Sequence, residues 1–254
     1  MPYDLTTFGL GEMLKCSPRL REAATGAPTF ELAAQRVCRF LYDELKSPDG
    51  ERQCALVRCY KTNAFGSLDP ELQGFVRTVM GFRQPWPEMK CLTLMSTVGQ
   101  AAAWNSRHNS RGHKAIPLPS PEMVEKAPMI SQLIKEFGLE ISSVLKPSPE
   151  VVRDLAGKRH GVFHVEAALG SPYIPAQEEF VARFGIQSVL GFGGLLINGD
   201  LFAVILFTTV TVSQATADRF RTLALDVKSG LSRYNDANSF NQMRTSTSET
   251  VRTP

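Results

Sequence analysis

Two strongly apolar strands, Ile186 to Ile197 and Asp200 to Val210, meet at Asn198-Gly199. An Asn-Gly pair between such runs is a hairpin signal, because the turn asks for positive φ and the link is too short for a crossover. An antiparallel pair is therefore expected at the best-defined connection of the chain. Parallel βαβ winding recedes, and an α+β arrangement of antiparallel strands with helices packed on the sheet is the expected class.

The remaining elements fit that class. Residues 1–28 read as a short helical arm with Leu10, Met13 and Leu14 on one face, broken at Ser17-Pro18. Thr29 can cap a long helix carrying Phe30, Ala33, Val37, Leu41 and Leu45 at helical spacing, ended by Ser47-Pro-Asp-Gly50. Strands are expected at 54–62 and 89–98, with a helix opened by Asp69-Pro70-Glu71 between them. Residues 99–120 read as a long polar, basic loop. Helical stretches follow at 121–137, interrupted by Pro128, and after Pro147. Gly161 to Val165 reads as a third strand, Pro175 to Phe184 as a helix stopped by Gly185, and Ser213 caps a closing helix through Leu231. Residues 235–254, rich in Asn, Ser, Thr and Gln, read as a disordered tail or linker.

Composition matters mainly for what it removes. A chain of 254 residues that is 43% hydrophobic can bury one large core or two small ones. Lys plus Arg minus Asp plus Glu is 28 − 25 = +3, too slight to point to nucleic acid. The longest unbroken apolar run, Leu201 to Phe207, is far below the ~18 residues of a membrane helix. Neither a signal peptide nor a disulfide framework is visible, so a reduced, cytoplasmic protein is expected.

No catalytic fingerprint and no metal set emerges from the residues. Gly191-Phe-Gly-Gly194 lies inside a strand pattern with no helix after it, so these glycines read as a bulge or a close approach of backbone or ligand. Cys54 and Cys59, five apart on one strand, are expected on opposite faces. Four histidines fall in two places, His108 and His113 in the basic loop and His160 and His164 around the third strand. The loop Trp104 to Lys114 combines a flat aromatic with five cations, a composition that suits an anion, an acidic partner surface, or simply solvent.

From His164 to Tyr234 the sequence resembles the GAF domain family of small-molecule sensor modules. The resemblance rests on Phe163-His-Val165, Pro175 to Phe180, Phe184-Gly-Ile186-Gln-Ser-Val189, Asn198-Gly199-Asp200-Leu-Phe-Ala-Val204, and Ala217 to Leu231. The elements at 29–46, 54–62 and 89–98 fit the opening of that family, and the whole chain looks like the GAF-type regions ahead of bacterial histidine kinases. The resemblance implies a central antiparallel sheet of order 2-1-5-4-3, helices on one side and a pocket on the other. The segment 99–160 would be a long insertion between the second and third strands. With no cysteine after Cys91, attachment of a bilin as in phytochrome-type relatives is not supported, and no cofactor is named.

The expectation is therefore a GAF-like sensor domain at 29–234: a non-catalytic sensory or regulatory module that binds a small molecule in bacterial signal transduction. Trp104, Arg107, His113, His164, Tyr173, Gln177, Phe180 and Phe192 are the expected pocket residues, on the lid loop, roof helix and facing strand. The alternative is a thiol-dependent GAF-fold enzyme, such as a free methionine sulfoxide reductase, working through Cys54, Cys59 or Cys91. Expected partners are a second copy, paired through the 1–46 and 213–233 helices, and a histidine kinase or other output domain. Nucleic acid and membrane are not expected.

Overall fold

The computed structural model describes residues 2–110, 112–156, 161–234 and 238–240. Arg111, His160 and most of the 235–254 segment lie outside the described residues. Six antiparallel strands form one sheet, built from β1 (Cys54–Ala64), β2 (Lys90–Gly99), β3 (Ala115–Pro117), β4 (Val162–Val165), β5 (Ser188–Leu195) and β6 (Leu201–Thr208), in the order β3-β2-β1-β6-β5-β4. The short β3 is an added edge. Without it the order is 2-1-5-4-3, as the resemblance implied.

Both faces of this sheet are covered, which is why β5 and β6 read as nearly continuous apolar runs although their neighbours are antiparallel. Strand alternation sends Phe202, Val204 and Leu206 to one face and Leu201, Ala203, Ile205 and Phe207 to the other. The first face is covered by α1 (Leu10–Ala24), α2 (Phe30–Glu44) and α8 (Gln214–Leu231). Thr29 Oγ1 caps α2 by accepting from Leu32 N, and Ser213 Oγ caps α8 by accepting from Thr216 N. Between β1 and β2, α3 (Pro70–Met80) starts at the Asp69 cap. Four short helices fill the long insertion: α4 (Pro121–Glu125), α5 (Pro128–Glu136), α6 (Ile141–Leu145) and α7 (Pro149–Ala156).

Four local expectations change. First, α1 continues through Pro18, because Cys16, Leu20 and Ala24 on either side of it are buried against the rest of the helical layer. Second, the β5–β6 link is a three-residue loop, 197–199. Leu196 N donates to Asp200 O at 2.8 Å, Gly199 N donates to Leu196 O at 3.0 Å, and only Gly199 has positive φ (84°). That is a type I turn followed by a left-handed glycine, not a two-residue turn. Third, the stretch after Pro175 is a π-helical turn over Gln177–Ala182, with Val181 N donating back to Ala176 O. Fourth, Cys54 and Cys59 lie on the same, helix-covered face, since a bulge between Cys54 and Leu56 shifts the register by one. Of the glycines in β5, Gly193 meets a close approach: a Cβ there would lie 2.1 Å from Phe202 O.

Beyond α8, Ser239 is fully buried, its carbonyl accepts from Glu31 N at 3.0 Å, and Phe240 packs on the helical layer. Packed chain thus recurs within the segment expected to be a disordered tail.

Candidate functional site

On the face opposite the three long helices, the sheet and the insertion enclose a cavity of about 610 Å³. Its floor is made by alternate residues of three adjacent strands: Leu56, Arg58 and Tyr60 of β1, Leu92 of β2, and Ala203, Ile205 and Phe207 of β6. Residues 127–130 and Leu133, at the start of α5, form the roof. Trp104, in a short 3-10 turn after β2, closes one side by meeting Phe184 at 4.4 Å and Phe180 at 5.6 Å between ring centroids. Phe180 in turn stands edge-on to Phe207 at 4.9 Å. The π-helical turn brings Phe180 and Phe184 to the same indole.

Of the expected pocket residues, Trp104, His113, Tyr173 and Phe180 line this cavity. The other four lie elsewhere, each for a physical reason. Phe192 and His164 sit at strand positions whose parity points to the helical face. Phe192 packs on Phe220 of α8 at 5.7 Å, and His164 contacts Val212 O at 2.8 Å and Gln214 Oε1 at 3.0 Å. Gln177 is a brace rather than a wall. Its Nε2 donates to Ile174 O at 2.7 Å, and its Oε1 accepts from Gly170 N at 2.7 Å, fixing the loop that presents Tyr173.

Arg107 turns away from the cavity. Its Nε donates to Glu31 Oε1 at 2.8 Å, Asp69 lies 3.4 Å away, and the Phe240 ring stacks on the guanidinium at 5.3 Å. Lys114 and His108 both reach Glu71, at 2.6 and 3.1 Å. Those two hydrogen bonds, Lys114 first, hold the Glu71 carboxyl below the usual range. The charges of Arg107 and Lys114 are therefore met by acids at the N-terminal ends of α2 and α3, where the helix dipole also favours them. His113 remains at the cavity mouth, in a left-handed conformation with φ 58°. Desolvation, and then the Arg58 charge, push its imidazole below the ordinary 6.5.

Sequence reasoning missed most of the apolar walls, and with them Arg58, the cavity's charged residue on β1. Its signal is a cation in the middle of an apolar strand, at the same parity as Leu56 and Tyr60.

Chemistry by cysteine finds no footing here. All five thiols are buried and none lines the cavity. Burial pushes Cys54 and Cys91 up to about 12 and Cys59 well above its ordinary value, the opposite of an activated thiol. Among the described residues no cluster of three or more His, Cys, Asp or Glu could hold a metal, and no helix is long and apolar enough to cross a membrane.

No family model matches the sequence, and no curated protein matches it. Among solved structures, the chain is similar to the GAF domain of a phosphoenolpyruvate-protein phosphotransferase from Coxiella burnetii, at 14% identity and a TM-score of 0.42, over 87% of this chain and 93% of that one. It is also similar to the GAF domain of the Acinetobacter phosphoenolpyruvate-protein phosphotransferase, at 13% identity and a TM-score of 0.40, over 87% and 92%. By its own strand order, its helices on one face and its cavity on the other, the chain has a GAF-like fold.

Proposed function

We propose that this chain is a non-catalytic sensory or regulatory module that binds a small molecule between the sheet and the insertion. The observation that carries the reading is the cavity itself. About 610 Å³ of mostly apolar space with a few polar groups is the size and character of small-molecule sites. The absence of an activated thiol from its walls favours binding over thiol chemistry. As a sensor of this kind it would act in bacterial signal transduction, handing a change at the cavity to a histidine kinase or other output domain through the helical layer. Native mass spectrometry of protein purified from its own host tests the reading. A small molecule retained at one copy per chain, and lost when Ala203 is enlarged to Leu, is the expected result. A chain that carries nothing, and whose melting point no apolar probe shifts, would overturn it.

A further inference from the structure

A cation with no counter-charge among the described residues stands in the cavity floor. Arg58 lies on β1 between Thr97 of β2 and Ile205 of β6. Its Nη1 makes one long hydrogen bond, 3.3 Å to Tyr60 Oη, and its Nε is sealed from solvent with no acceptor. Directly across the strand pair, Thr97 Oγ1 is also buried and without a partner. Neither Asp nor Glu lines the cavity. Among the described residues no carboxylate forms an ion pair with Arg58. Three residues along the same strand, the fold treats a buried cation quite differently. Lys61 is wholly buried and is met by Asp200 at 2.9 Å, Asn63 at 2.9 Å and Ser239 at 3.0 Å.

Two adjacent buried groups left unsatisfied are costly, and such a cost is explained when a ligand repays it. The space around Arg58 is shaped accordingly. A side chamber of about 180 Å³, lined by Ala103 and Trp104 as well as by Asn109, Ser110 and His113, borders the same Arg58 as the apolar chamber. A planar guanidinium suits a carboxylate or phosphate, which it can grip with two parallel hydrogen bonds.

Resting on the reading of this cavity as a ligand site, we infer that Arg58 is its anion anchor and that the ligand is a small amphipathic anion. Its apolar or aromatic body would lie over Leu56 and Ile205 beside Trp104. Its single carboxylate or phosphate would be held by Arg58.

The test uses a matched pair of fluorescent probes, 8-anilinonaphthalene-1-sulfonate and N-phenyl-1-naphthylamine, which share an aromatic body and differ in the anionic group. The full chain should bind the sulfonate more tightly than the neutral amine. Arg58→Met should weaken the sulfonate about tenfold or more while leaving the amine within about twofold. Octanoate or octyl phosphate should displace the sulfonate, and octanol should not; which of the two acids competes better identifies the head group. Equal binding of both probes to the wild-type chain overturns the anchor but leaves the cavity reading intact, and this arm holds even if the variant fails to fold. Unchanged sulfonate affinity in a folded Arg58→Met protein also overturns it. If neither probe binds the wild-type chain, the cavity reading fails and the anchor with it.

Discussion

Asp200 shows how a single carboxylate can organise one end of this molecule. It is almost fully buried, yet it accepts from Lys61 at 2.9 Å and Lys90 at 2.7 Å, joining the β5–β6 hairpin to β1 and β2. Removing one partner of a buried pair costs most when the remaining charge has nowhere to go. Asp200→Ala takes the only carboxylate seen on a wholly buried ammonium among the described residues, leaving it the neutral groups of Asn63 and Ser239, and should cost about 3–5 kcal/mol. Lys61→Met leaves Asp200 with Lys90 and should cost no more than about 2 kcal/mol. Chemical denaturation of the two variants measures this, and equal or reversed losses would refute it. His113 supports a second prediction at this scale. Its pKa is lowered in the fold, so the folded state prefers the neutral ring. That preference contributes stability above about pH 6.5 and is lost as the pH falls through the folded value. His113→Asn, which tolerates the left-handed backbone, should reduce the difference in melting temperature between pH 7.5 and pH 5.5. An unchanged difference would show that the acid sensitivity originates elsewhere.

At the scale of elements, the helical layer shows packing overriding local preference. Pro18 cannot donate to Leu14 O, yet the helix runs on because the α1–α8 seam holds it from both sides. Ser17 Oγ donates to Asp226 Oδ2 at 2.5 Å, Arg21 pairs with Asp226 at 2.5 Å, and Ala24 closes on Gly230. Asp226 is buried for the same reason. Since Pro18 itself is exposed, Pro18→Ala should restore one helical hydrogen bond and raise stability by about 1–3 kcal/mol. A urea midpoint that stays put or falls would mean that α1 is already strained into a shape only proline suits.

For the whole molecule, the bundle of α1, α2 and α8 expected between two copies forms within one chain. Met13 is buried in it, whereas Leu10 and Leu14, one turn apart, remain 61% and 62% exposed. Homodimerisation through this face is a proposal, and deleting residues 1–28 would not test it, because α1 is part of the core. Leu10→Glu with Leu14→Glu leaves the core untouched. If the dimer exists, sedimentation at micromolar concentration should show the wild type at twice the chain mass and the double variant at the chain mass. A wild-type monomer under those conditions excludes it.

Short-range chemistry let the sequence alone determine most of the frame. Helix caps at Thr29, Asp69 and Ser213, the apolar runs of β5 and β6, and the turn at Gly199 are each decided within a few residues. The sheet order was available only through resemblance. The face on which each side chain lands depends on register, which one bulge can invert, as it did for Cys54, and on which of two covered faces holds the cavity. That is why Phe192 and His164 lie on the helical face while Trp104 and Phe180 line the cavity. The fate of each charge was likewise tertiary. The basic loop looked open to an anion until Glu31, Asp69 and Glu71 met Arg107 and Lys114, whereas no carboxylate among the described residues pairs with Arg58. Ion pairs join groups from 3 to 205 positions apart in the chain, so only the folded structure could say which charges meet.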